Sequence, residues 1–235
     1  MTPPHTATPA DTETTHPMRT ATEPALIPYI TQREGEEAAP DNLVIHRRGS
    51  GLRLSYLDES PQDRDLRDTL WARLGFNMDE NKQPTGAPQW KFIHPHRQLA
   101  IMQMMRCQVC TELARTPLGY IFLAGPNDQD PHEQRVLTNQ PPVCPKHARA
   151  AAKLCPHLTR SPLVFLAQSA PLYGVHGTLY GLNDKGVHVV AKPESPLPYG
   201  HPNLSTFQAS QLVRRLSAFT VVDLEELLRE LKLAA

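Results

Sequence analysis

The residue types that could do chemistry in this chain sit in two short runs. One is Cys107-Gln108-Val109-Cys110, a C-x-x-C pair. The other is Cys144-Pro145-Lys146-His147, a C-x-x-H pair. The chain has four cysteines in all, and every one lies between positions 107 and 155. Two close pairs of soft and borderline donors are what a tetrahedral, structural Zn2+ requires. Such a site contributes about 10–16 kcal/mol of apparent binding free energy that is realised only when the chain folds. Cys107, Cys110, Cys144 and His147 are therefore the expected ligands. Cys155 and His157, in Cys155-Pro156-His157, bring the donors to six, too many for one tetrahedral site and too few for two. They are the alternates, with Cys155 able to stand in for His147.

A catalytic metal would need an open coordination position and a general base beside it. The sequence has no H-E-x-x-H, no H-x-E…P-C-x-x-C, no G-x-S-x-G and no glycine-rich phosphate loop. The nearest candidates for a metal-nuclease centre of the HNH kind are Asp128, Asp130 and His132. They fall in a polar stretch that reads as an irregular loop, so an HNH-like nuclease is a minor alternative and the chain is expected not to be an enzyme.

The elements that must position the cysteines follow from periodicity and punctuation. His94-Pro95 opens a helix that carries Leu99, Met102 and Met105 on one stripe and runs into Cys107. Leu118–Ala124 reads as a strand. Pro145 to Leu154 has high helix propensity throughout, so Cys144 and His147 lie at its first turn, three residues apart on one side. A knuckle, a strand and a ligand-bearing helix start describe a treble-clef-like unit. Upstream, Leu26–Ile30, Leu43–His46 and Leu52–Tyr56 suit edge strands, and Ser60-Pro61 with Leu66, Leu70 and Leu74 predicts a helix stopped by Gly75.

Downstream, Tyr173–Leu182 and Val187–Ala191 flank Asn183-Asp184-Lys185-Gly186, the clearest hairpin signal in the chain. Residues 206–222 fit either helix or strand. Asp223 caps a final helix with Glu226 in the capping-box position and Leu224, Leu227, Leu228 and Leu231 on its apolar stripe. The expected class is α+β: small antiparallel sheets around the zinc-knuckle unit. Residues 25–235 read as one zinc-stabilised body (25–92, 93–160 and 161–235 being its N-terminal, zinc and C-terminal parts). Residues 1–24 read as a disordered tail, since residues 1–25 hold eight threonines, five prolines and almost no large apolar groups.

Composition narrows the partners. The formal net charge is zero and only 6% of residues are aromatic, so no global field holds the chain on nucleic acid or membrane. Lys146, Arg149 and Lys153 line one face of the helix after Cys144, with Arg160, Arg214 and Arg215 as neighbours that would extend it. These are the candidate phosphate contacts of a DNA-binding alternative. Met102 and Met105, with Leu224, Leu227, Leu228 and Leu231, are the candidate surface for a protein partner; the other reading of both stripes is core. No apolar run reaches the ~20 residues of a membrane span, and no signal-peptide pattern opens the sequence, so a cytoplasmic protein with reduced thiols is expected.

The string His94-Pro95-x-Arg97-Gln98 … Arg106-Cys107-Gln108-Val109-Cys110 … Pro141-Pro142-Val143-Cys144 … Cys155-Pro156-His157-Leu158 resembles a group of small zinc-motif proteins of actinobacteria and their phages. The resemblance spans about residues 50–230. It implies a cytoplasmic protein of phage or mobile-element origin with no activity attached. One role it suggests is the recombination directionality factor of a large serine integrase, which promotes excision by protein contact. The expected partner is then a serine recombinase on DNA, with little nucleic-acid binding by the chain alone and no small-molecule substrate.

Overall fold

The computed structural model describes residues 26–39, 42–49, 51–125, 135–154, 158 and 162–233, which form fourteen short strands and three helices. Strand β1 (Thr31–Arg33) precedes a hairpin of β2 (Leu43–Arg48) and β3 (Gly51–Tyr56). Next come β4 (Leu70–Trp71), β5 (Pro88–Ile93) and helix α1 (Pro95–Gln103). Strands β6 (Arg115–Thr116), β7 (Gly119–Ala124) and β8 (Leu137–Thr138) lead to α2 (Pro145–Leu154). The remainder holds β9 (Leu163–Ser169), β10 (Leu172–Asn183), β11 (Gly186–Ala191), β12 (Leu197–Pro198), β13 (Phe207–Arg215), β14 (Ser217–Val221) and α3 (Leu224–Leu233). None of the described helices is long and apolar enough to cross a membrane.

The class is α+β, with small sheets that are antiparallel except where β4 runs parallel to β13. The larger sheet has the order β11-β10-β13-β4, with β12 added to β10 and β8 to β13. The second has the order β14-β9-β7-β6, while β1 pairs with β5 and β2 with β3. The β10–β11 hairpin forms at the expected turn, where Asn183 Oδ1 accepts the Lys185 N–H at 2.9 Å and Gly186 takes φ +107°. Residues 207–215, open between helix and strand in the sequence, are strand β13. Part of the reason lies in α1. The Gln98 amide donates to the Leu212 carbonyl at 2.9 Å and accepts the Leu212 N–H at 2.9 Å, acting as a short strand partner. Trp71, Met102, Val175, Phe207 and Leu212 then fill the core around that contact.

The helix expected from Ser60-Pro61 to Gly75 does not form. Only a 3-10 turn, Pro61–Asp63, follows Ser60, and Leu70-Trp71 is strand. The competitor is Asp65, whose carboxylate accepts the backbone N–H of Arg67 at 2.9 Å and of Thr69 at 3.0 Å. It also accepts the Trp71 indole N–H and the Tyr199 hydroxyl. These local bonds give the backbone an alternative to the helix ladder, and Asp68 adopts φ 65°, which no right-handed helix tolerates. Leu66 is fully exposed, so its spacing from Leu70 carries no packing. The expected strand Leu26–Ile30 is likewise displaced: pairing begins at Thr31. The expected tail, residues 1–24, lies outside the described residues.

Helix α1 is fixed at both ends by charge. At its start Pro95 is the first helical residue and His94 the cap, its Nδ1 accepting the Arg97 N–H at 3.4 Å while its Nε2–H donates to Gly75 O at 3.1 Å. Arg97 is buried against the equally buried Glu36, forming two bonds to the carboxylate and one to Thr31 O at 2.7 Å. At its end the buried Arg214 donates to the carbonyls of Met102 (2.9 Å), Gln103 (3.0 Å) and Ala170. A guanidinium on the last carbonyls of a helix satisfies orphan acceptors and meets the negative end of the dipole.

Candidate metal centre

The chain leaves α1 through a left-handed residue. Met105 has φ 52°, the Arg106 N–H reaches back to Ile101 O at 3.0 Å and the Met105 N–H to Met102 O at 3.4 Å. This is the Schellman pattern, with methionine where glycine is usual. It turns the backbone into the knuckle. There the Cys107 N–H donates to Glu112 O at 2.8 Å and the Thr111 N–H to Cys107 O at 2.9 Å. Arg106 closes the loop from outside by donating to Thr111 O at 2.8 Å.

The second pair of donors is brought alongside by β7. The Val143 N–H donates to Ile121 O at 2.9 Å, and the Gln108 N–H donates to Pro142 O at 3.0 Å. Cys144 then stands immediately before α2, its carbonyl accepting the N–H groups of His147 and Ala148, both at 3.0 Å. The i, i+3 spacing places Cys144 and His147 on the same side of the first turn.

The result is one cluster. The ligand atoms of Cys107, Cys110, Cys144 and His147 all lie within 4.8 Å of one another. Cys110 Sγ is 3.9 Å from Cys144 Sγ, which is 3.3 Å from His147 Nδ1. Tetrahedral bonds of about 2.3 Å to sulfur and 2.0–2.1 Å to nitrogen put S···S near 3.8 Å and S···N near 3.6 Å. The four donors are thus already spaced to take a metal ion. Cys107 is fully buried, Cys144 nearly so, and Cys110 and His147 are half-buried. Burial, then the neighbouring Cys107, pushes the Cys144 thiol up to about 12; burial raises Cys110 too. Burial lowers His147, keeping it in the neutral form that ligates. A cation among these thiols would draw off their protons and turn them into thiolate ligands, and the donor chemistry fits one.

An apolar shell holds the cluster. Ala114, Ile121, Val143, Ala148 and Val164 pack around it together with Leu227, Leu228 and Leu231 of α3. This corrects the reading of the leucine stripe as a partner surface: Leu227, Leu228 and Leu231 are at most 8% exposed, and Leu224 packs partly buried beside them. Asp223 Oδ1 accepts the Glu226 N–H at 2.9 Å, so α3 starts with the expected cap. The methionine stripe is core as well, Met102 being fully buried and Met105 partly so. Of that run only Met104 is exposed, at 58%.

Lys146, Arg149 and Lys153 are exposed on α2. Arg149 pairs with Glu225 of α3, its Nε donating to the carboxylate at 2.8 Å, an exposed pair with which a phosphate would have to compete. Arg214 is removed from any basic face by its burial at the end of α1. Cys155, His157, Arg160, Asp128, Asp130 and His132 lie outside the described residues. What sequence reasoning missed is a set of buried charges, Arg33, Glu36 and Arg97, and a cavity lined by Trp90, Phe92 and Gln108. The alternation Trp90-Lys91-Phe92 was the one signal of the latter.

Comparison of the chain with protein-family models, with characterised proteins and with solved structures finds no match.

Proposed function

We propose that Cys107, Cys110, Cys144 and His147 hold one Zn2+ in a closed structural site, and that the chain acts as a regulatory protein by contact with another protein, without chemistry of its own. The observation that carries the metal is the convergence of four donors within 4.8 Å inside an apolar shell; the regulatory role is carried from the sequence resemblance. Three thiolates and an imidazole suit zinc and not the hard, oxygen-seeking cations. Four protein ligands leave no coordination position for a substrate. The order of knuckle (Cys107–Cys110), β6–β7 hairpin and ligands at the start of α2 supports a treble-clef-like description of the unit.

The specific form of this reading, carried from the sequence resemblance, is an accessory factor of a large serine integrase. Such a factor must bind one conformation of its partner better than the other to reverse the direction of recombination. The test is an in vitro recombination reaction with the integrase of the same genetic element. The account expects excision between the product sites only when the metal-loaded chain is added, and co-purification of the two proteins. Absence of both would refute the integrase reading. Steeply salt-dependent, micromolar binding of the isolated chain to random duplex would instead favour the DNA-binding alternative, which the Arg149–Glu225 pair weakens.

A further inference from the structure

A cavity of about 370 Å3 opens beside the metal knuckle, between the β1–β5 pair and the ends of β7 and α2. Ile30, Trp90, Phe92, Val109 and Leu123 give it a mostly apolar wall, and Gln108 adds an amide. Gln108 and Val109 are the two residues between Cys107 and Cys110, so an occupant would touch the knuckle itself. The volume lies at the low end of ligand-binding cavities, roughly 300–1,000 Å3, which is room for one or two large side chains.

Two features define what would fit. Gln108 is only 8% exposed, and its hydrogen bonds to described residues are made by its backbone. Its backbone is already used, the N–H on Pro142 O and the carbonyl on the Tyr29 N–H at 2.8 Å. The amide lines the cavity, where its donor and acceptor are open to whatever fills it. A peptide group matches both, carbonyl and N–H side by side. At the rim Trp90 and Phe92 of β5 are 41% and 58% exposed, and Lys91 between them is the single charged residue among the described residues of the lining. Large exposed aromatics beside a pocket are the residue types that dominate protein contacts, and Lys91 asks for a carboxylate.

We propose that this cavity docks an extended segment of a partner protein: a large apolar side chain enters it, the adjoining peptide group pairs with Gln108, and an Asp or Glu beside the anchor meets Lys91. The inference rests on the reading that the chain acts by protein contact and says where that contact is made. Single-stranded nucleic acid would also stack on Trp90 and Phe92, but it needs a basic track for its phosphates, and among the described residues of the lining Lys91 is the lone cation.

Selection of a random twelve-residue peptide library on the full-length, zinc-loaded chain tests this. Enriched peptides should carry Leu, Phe or Trp next to Asp or Glu. Their synthetic forms should shift the emission of Trp90, the other tryptophan, Trp71, being 1% exposed and silent. Lys91→Glu should weaken binding about tenfold or more and turn the selected flank from acidic to basic. Gln108→Ala should weaken it similarly, with Phe92→Ser as the exposed variant that decides the matter if Gln108→Ala loses metal. The exposed Arg215→Ala should change nothing. No enrichment, or peptides that bind every variant equally, would overturn the proposal. So would a dT10 oligonucleotide that shifts Trp90 where peptides do not, or binding that appears only after deletion of residues 1–25, which would make the chain's own N-terminal residues the occupant. A native partner that still binds Lys91→Glu and Phe92→Ser would refute the cavity and leave the protein-contact reading standing.

Discussion

Replacing Glu36 by Gln should be among the most damaging single changes outside the metal site. The Glu36 carboxylate accepts two bonds from Arg97 and the Arg33 N–H at 2.7 Å, with the Asn77 N–H at 3.4 Å. The side chains of Arg97 and Glu36 are 1% and 0% exposed, and Arg33, also buried, faces the same carboxylate. Glutamine keeps the shape but leaves two buried guanidiniums with no counter-charge among the described residues. Breaking one partner out of a buried pair costs about 3–5 kcal/mol, a large share of the 5–15 kcal/mol that stabilises an ordinary domain. Urea unfolding followed by circular dichroism at pH 7 should show that loss as a lower midpoint with unchanged slope. Arg97→Met in the same chain should restore part of it, because one stranded charge is removed. The pH profile checks the cause. Burial alone would raise the Glu36 carboxyl, but the bonds from Arg97 and Arg33 outweigh it and hold it below its ordinary range. The unfolded chain therefore takes up this proton first as pH falls, so the stability from Glu36 is full above the ordinary carboxylate pKa and is lost below it. Glu36→Gln should flatten that acid limb. A cost under about 1 kcal/mol, or an unchanged acid limb, would show that Glu36 is not the counter-charge that holds Arg97 and Arg33.

Arg214→Met strands the carbonyls of Met102, Gln103 and Ala170 and should cost about 2–3 kcal/mol by the same assay, since bonds to a charged donor are the stronger kind. Leu228→Asp places a charge in the shell around the cysteines and should unfold the chain and release the metal, read by circular dichroism and metal content, not by a selective loss of partner binding. His94 is held down to about 4 by burial and then by Arg97. Between its ordinary value of 6.5 and 4 the unfolded chain is the better proton acceptor, so stability should fall as pH drops through that window. His94→Asn, which keeps a capping side chain, should remove that part of the slope between pH 7 and 5.

The metal cluster was legible because ligand spacing is local: each pair is three residues apart, and only the meeting of the two pairs is tertiary. The β10–β11 hairpin was legible for the same reason, its turn being written in Asn183 to Gly186. Residues 61–74 misled because Leu66, Leu70 and Leu74 keep helical spacing while Asp65 captures the backbone, and that capture is completed by Trp71 and by the distant Tyr199. The leucines of α3 and Met102 had the right periodicity but no sign of which surface they would meet. Arg33, Arg97 and Arg214 were not recoverable, since charged residues are ordinarily exposed. What buries them is a carboxylate 61 residues from Arg97 and, for Arg214, a helix end 111 residues away.

The ion at the knuckle is what the fold around the cysteines depends on. Metal analysis by mass spectrometry, with X-ray absorption at the zinc edge on protein purified without chelator, tests it most directly. About one zinc per chain is expected, with three sulfurs near 2.3 Å and one nitrogen near 2.0 Å. The Cys107→Ser chain should carry little zinc and lose cooperative unfolding. A four-sulfur shell would rule out His147 as a ligand, and protein that folds cooperatively with no bound metal would rule out a structural metal in this chain.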